Sequence, residues 1–84
     1  MSDVTVRVLA FAAVRELLGM REMSLSLAAG ATAGDVLEAL CTRWPGLRPY
    51  TGALRLAVNG DYVSREHVLR AGDEVAVLPP VAGG

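Results

Sequence analysis

Lysine is missing altogether from this 84-residue chain, and all eight basic residues are arginine. With no internal ε-amine to accept an isopeptide bond, the protein cannot be chained to itself through lysine. A single cysteine excludes an internal disulfide framework, so a domain this small depends on its core. One histidine, His67, and that one cysteine, Cys41, lie far apart and cannot supply a tetrahedral metal site. Aromatic residues are 5% of the chain against 52% hydrophobic, so the core has to be built from Val, Leu and Ala. No run approaches the roughly 20 apolar residues of a membrane span. Met1-Ser2-Asp3 lacks the basic start of a secretory signal, and a cytoplasmic protein is expected. Net charge is -1 with no basic cluster, which argues against nucleic acid and anionic membrane as partners.

What is present reads as one domain. Val4, Val6 and Val8 alternate with polar neighbours in the period of a strand, and Leu9-Ala10-Phe11 forms its apolar end. Ala13 to Leu18 predicts a short helical turn stopped by Gly19. Met23, Leu25 and Leu27 mark a second strand, pairing with the first as a hairpin. Thr32 and Asp35 are a helix start, a hydroxyl to cap a free N–H and an acid in the first turn. That helix is expected to end near Arg43 or Trp44, before Pro45-Gly46. Its stripe of Val36, Leu37, Leu40, Cys41 and Trp44 faces the sheet. Gly46 to Gly52 reads as irregular. Leu54 to Val58 is a third strand, Asn59-Gly60 a hairpin turn, and Asp61 to Val63 a short return strand. After a connection from Ser64 to Leu69 and a turn at Arg70 to Asp73, Glu74 to Leu78 is the last strand. This order fits an α+β fold, a mixed sheet with one main helix on one face and the first and last strands parallel at the centre. It is the β-grasp arrangement.

The organising stretch is Leu78-Pro79-Pro80-Val81-Ala82-Gly83-Gly84. Proline cannot donate to a sheet ladder, so Pro79 and Pro80 end the strand and aim the chain outward. Residues 1–80 are thus expected to form the domain, and residues 81–84 a flexible tail reaching about 13 Å when extended. Side-chain chemistry elsewhere is sparse. Cys41 lies on the apolar helix stripe, where a free Cys is a small hydrophobe. His67 sits in a polar connection. Asp35 and Glu38 read as a first-turn acid and a solvated face, and no glycine pattern cradles a phosphate. With no active site of its own, the fold's unusual feature is an unhindered C-terminal carboxylate. Activated with ATP to an acyl-adenylate, it becomes an electrophile open to a sulfur nucleophile, and a Cβ on residue 84 would crowd that approach.

Three stretches resemble the small subunit of molybdopterin synthase: Val8 to Gly19 with its Arg15-Glu16-Leu17, Ala57 to Val63, and Gly72 to Gly84 with Pro-Pro-Val-x-Gly-Gly. The resemblance implies a ubiquitin-like β-grasp fold and a sulfur-carrier role, with no cofactor bound by the chain itself. An E1-like adenylating enzyme would use ATP to activate Gly84, and a sulfur donor protein would supply the sulfur of a thiocarboxylate. The loaded tail would enter the large catalytic subunit, in a heterotetramer of two small and two large subunits. There it would give sulfur to cyclic pyranopterin monophosphate, two transfers building the dithiolene that binds molybdenum. Carried over residue by residue, Gly83, Ala82, Val81, Pro80 and Pro79 are tail or partner contacts. Phe11, Tyr62 and Leu78 fall where the family keeps an apolar docking patch shared by both partners. From the residues alone, Phe11 and Leu78 are equally well core, whereas Tyr62, a ring with a polar handle, suits an interface rim. Arg15 aligns with a family arginine, either paired across the interface or solvated. Three rival readings remain: a sulfur carrier for thiamine, cysteine or tRNA thiolation, an interaction module with an incidental Gly-Gly end, and a ubiquitin-type conjugate through Gly84.

Overall fold

The structure, a computed structural model, describes residues 3–80. Valine-rich alternation produces β1 (Val4–Ala10), and a turn of helix, α1 (Ala12–Leu18), follows. Gly19 closes α1 in the left-handed region at φ 75°, its N–H donating to the Arg15 carbonyl at 2.9 Å. The chain returns as β2 (Glu22–Leu27), antiparallel to β1 with Val6 opposite Leu25.

The main helix, α2 (Ala33–Arg43), starts at Thr32 through a reciprocal cap. The Thr32 hydroxyl accepts from the Asp35 N–H at 3.3 Å, while the Asp35 carboxylate accepts from the Thr32 N–H at 2.9 Å. Its buried stripe is Ala33, Val36, Leu37, Leu40 and Cys41, with Trp44 half-buried beside it. Cys41 is 2% exposed, among apolar neighbours.

One expectation fails in the next stretch. Pro45–Ala53 is a 3-10 helical segment and not irregular chain. Pro45 stands at its first position, where a missing N–H costs nothing. Leu47, 1% exposed, draws it onto the core, and Arg48 pairs with Glu38 of α2 at 3.1 Å. β3 (Arg55–Val58) consequently starts one residue later than expected. Asn59 and Gly60, at φ 51° and 91°, make the tight turn into β4 (Asp61–Val63). The Ser64 to Leu69 connection is more ordered than a plain loop. Val68 bridges Thr32, and Ala33 and Gly34 donate to the His67 and Arg65 carbonyls at 2.9 Å each.

β5 (Glu74–Leu78) completes a sheet of order β2-β1-β5-β3-β4, parallel to β1 and antiparallel to β3. Val6, Val8, Leu56, Val58, Val75 and Val77 form the sheet's side of the core under α2. This is the ubiquitin-like β-grasp, an α+β fold with the expected strand arrangement. No helix among the described residues is long and apolar enough to cross a membrane.

Candidate docking face and tail root

β5 determines what can happen at the site, because it is the central strand and runs directly into Pro79 and Pro80. Val75 and Val77 point under α2, so Glu74, Ala76 and Leu78 point to the opposite face, which no helix among the described residues covers. The registers align this face into rows. Leu9, Ala76, Ala57 and Tyr62 lie side by side across four strands. One step toward the tail, Leu78 pairs with Arg55 of β3. On its other side Ala10 pairs with Val77, so Phe11, next in the chain and still extended at φ -125° and ψ 152°, comes alongside Leu78. The Phe11 carbonyl accepts from the Val14 and Arg15 N–H groups, which fixes the ring's point of departure at the start of α1.

Phe11 is therefore not core. It is 43% exposed and Tyr62 is 64% exposed, with Leu78 half-buried between the rows. Ala57 and Ala76 bring only small side chains to the row between Leu9 and Tyr62. The Arg55 guanidinium lies over the Tyr62 ring at 5.8 Å. Opposite the tail end, Arg7 contacts Glu74 and lies 3.8 Å from Glu22. The hydrogen bond and charge of Glu74, then the charge of Glu22, raise the Arg7 pKa further.

The start of β5 is held by its neighbours. Asn59 donates to Asp73 at 2.9 Å and accepts from the Glu74 N–H at 3.0 Å, and the Arg70 N–H donates to Asp73 at 2.8 Å. The Arg70 N–H above all, and then Asn59, hold the Asp73 carboxyl below its usual range. At the other end of β5 an apolar cleft of about 300 Å³ flanks the tail root, lined by Leu17, Leu47, Tyr50, Leu54, Pro79 and Pro80 among others.

Of the residues singled out from the sequence, Phe11, Tyr62 and Leu78 share one face, and Pro79 and Pro80 stand at its tail end. Arg15 lies exposed on α1, off the strands. Val81, Ala82, Gly83 and Gly84 lie outside the described residues. Sequence reasoning missed Leu9, Ala57, Ala76 and Arg55. They were findable as the positions out of phase with the core valines. Among the described residues, no group of three or more His, Cys, Asp or Glu side chains is placed to hold a metal.

The sequence profile of the ThiS family matches residues 8–84. The molybdopterin synthase sulfur carrier subunit of Escherichia coli is 41% identical over 81 residues, covering 94% of this chain and 99% of that one. Among solved structures, a putative molybdopterin converting factor subunit 1 from Pyrococcus furiosus superposes with a TM-score of 0.85 at 36% identity. It covers 93% of this chain and 99% of its own. SAMP1, a small archaeal modifier protein of Haloferax volcanii, superposes at 0.81 with 32% identity, over 95% and 99% of the two chains.

Proposed function

The chain belongs to the ThiS family, and from that premise we propose that it is the sulfur-carrier subunit of a molybdopterin synthase. The observation that carries the reading is the position of β5. One strand supplies both the middle of an uncovered apolar face and the root of a tail ending Gly83-Gly84. A partner docked on that face has the root of the tail, Pro79-Pro80, beside it. The relationship to the E. coli carrier subunit supplies the pathway.

In this reading the domain itself performs no bond chemistry. An E1-like adenylating enzyme binds the face, and the Gly84 carboxylate attacks the α-phosphorus of ATP, releasing pyrophosphate. The persulfide of a donor protein displaces AMP from the acyl-adenylate. A thiol then reduces the resulting acyl disulfide, leaving a thiocarboxylate and the donor's remaining sulfur in a new disulfide with that thiol. The same face, with Phe11, Tyr62 and Leu78, then docks on the large catalytic subunit, two small with two large. There the thiocarboxylate sulfur bonds to a carbon of cyclic pyranopterin monophosphate, and water cleaves the acyl–sulfur bond, returning the carboxylate and leaving the sulfur on the substrate. Pro79 and Pro80 keep the strand from continuing, and the absent Cβ atoms of Gly83 and Gly84 let enzymes close on the terminal carbonyl. The setting is the cytoplasm, and the chain binds no cofactor of its own.

The test is an intact mass after incubation with the host's E1-like enzyme, MgATP and a sulfur source. A gain equal to replacing one oxygen by sulfur, confined to the C-terminal peptide, is expected, as is its loss on adding the large subunit and substrate. An unchanged mass, with the enzyme active on another carrier, rejects the reading. A second reading draws on the likeness to SAMP1: attachment through Gly84 to lysines of other proteins. It predicts branched Gly-Gly remnants on target lysines after proteolysis.

A further inference from the structure

The uncovered sheet face is electrically lopsided. At the end away from the tail, one cation, Arg7, is shared by two carboxylates, Glu22 and Glu74. At the tail end stands Arg55, next to Leu78 in register, with Arg65 nearby turned to the Thr51 carbonyl. Among the described residues the ion pairs within 4 Å are Arg7 with Glu22 and Glu74, and Arg48 with Glu38, so Arg55 has no such partner there. Asp61 does not compensate it, because it alternates with Tyr62 and points to the opposite face. Four residues of strand separate the Arg7 row from the Phe11 row, about 13 Å at 3.3 Å per residue. That exceeds a screening length of about 8 Å at physiological ionic strength, so a partner meets the two ends as separate charges. Between them lie the apolar side chains of Leu9, Ala76 and Ala57.

Arg55 is also poised. Its guanidinium lies over the Tyr62 ring at 5.8 Å, which limits the side chain's freedom before any partner arrives. No hydrogen bond among the described residues uses the guanidinium's N–H groups, which can pair with a carboxylate in two parallel hydrogen bonds.

We propose that the protein receiving the tail presents a carboxylate to Arg55, beside the point where the tail enters it. This rests on the docking reading of the sheet face given above. The contact sets the rotational register of docking. A partner turned end for end on the apolar patch would bring its carboxylate against Glu22 and Glu74 and be repelled. Arg55 thus contributes mainly to orientation and association rate, and the apolar rows contribute most of the affinity.

The experiment measures association of the full-length chain with the large synthase subunit of the same organism, by stopped flow at several ionic strengths. Arg55→Leu is expected to weaken binding about 2- to 5-fold and to flatten its salt dependence. Arg55→Glu slows association about 10-fold or more, and Arg55→Lys keeps the salt dependence while losing part of the affinity. Unchanged melting temperatures confirm that these exposed substitutions spare the fold. If Arg55→Glu associates at the wild-type rate with the wild-type salt dependence while Phe11→Ala binds weakly, this inference falls and the docking reading stands. If the wild-type chain does not bind, or Phe11→Ala also has no effect, the docking reading falls and takes this inference with it.

Discussion

Replacing Phe11 by alanine separates the docking face from the core beneath it. An aromatic residue of about 200 Å² that is 43% exposed leaves roughly 85 Å² for a partner to cover. At about 25 cal/mol per Å² that area is worth about 2 kcal/mol, or ~30-fold in Kd. Binding of the variant to the large subunit and to the adenylating enzyme, measured by calorimetry, is expected to weaken by about that factor in both cases. Val68 is the control. It is more exposed, at 56%, but it bridges Thr32 at the start of α2, off the uncovered sheet face. If exposure alone made a docking residue, Val68→Ala would weaken binding as well; the face reading predicts a change below about two-fold. A folded Phe11→Ala protein that binds both partners with wild-type affinity would refute the reasoning.

Other perturbations test the scaffold. Leu40→Ala removes a side chain that is 1% exposed between α2 and the sheet, and is expected to cost about 2–5 kcal/mol in denaturant unfolding. Gly34→Ala sets two effects against each other. Helix propensity favours alanine by about 1 kcal/mol, but the added Cβ would stand 3.1 Å from both the Cβ and the carbonyl oxygen of Arg65. Because that carbonyl accepts the Gly34 N–H, it has little room to retreat, and a net loss of about 1 kcal/mol or more is expected; a rise in Tm would refute it. Asp73 predicts a pH effect of definite sign. Its folded pKa is lowered, so its contribution is complete above the unfolded value of about 3.9 and fades as pH falls through the lower folded value. Unfolding free energy measured from pH 6 down to 2 should fall less steeply below pH 4 in Asp73→Asn than in wild type. Identical slopes would exclude the linkage.

Elements that carry their own local chemistry were legible in the sequence. Thr32 with Asp35 began the helix, Gly19 ended α1, and Asn59-Gly60 turned the hairpin, each through backbone groups a residue or two away. Pro45–Ala53 was not, because Pro45, Gly46, Pro49 and Gly52 all read as breakers. What orders the segment is distant, the burial of Leu47 against α2 and the sheet. Nor does any local signal mark Ala12, held at φ 49° where β1 gives way to α1. The site was half legible. Its tail root is written in Pro79-Pro80, but Val75-Ala76-Val77-Leu78 is apolar on both faces, as central strands are, so the sequence could not say which face Leu78 joins. Only the pairing of Val75 and Val77 opposite Val8, Ala10, Leu56 and Val58 decides it.

The central place of β5 also has a mechanical side. A partner that grips the chain beyond Pro80 and pulls draws along the axis of β5. The hydrogen bonds to β1 on one side and to β3 on the other are then loaded together in shear. An edge strand pulled sideways would instead peel open one bond at a time. Load applied at Pro80 is therefore shared by two ladders at once, and the proposed role would draw on that resistance each time a partner releases the chain.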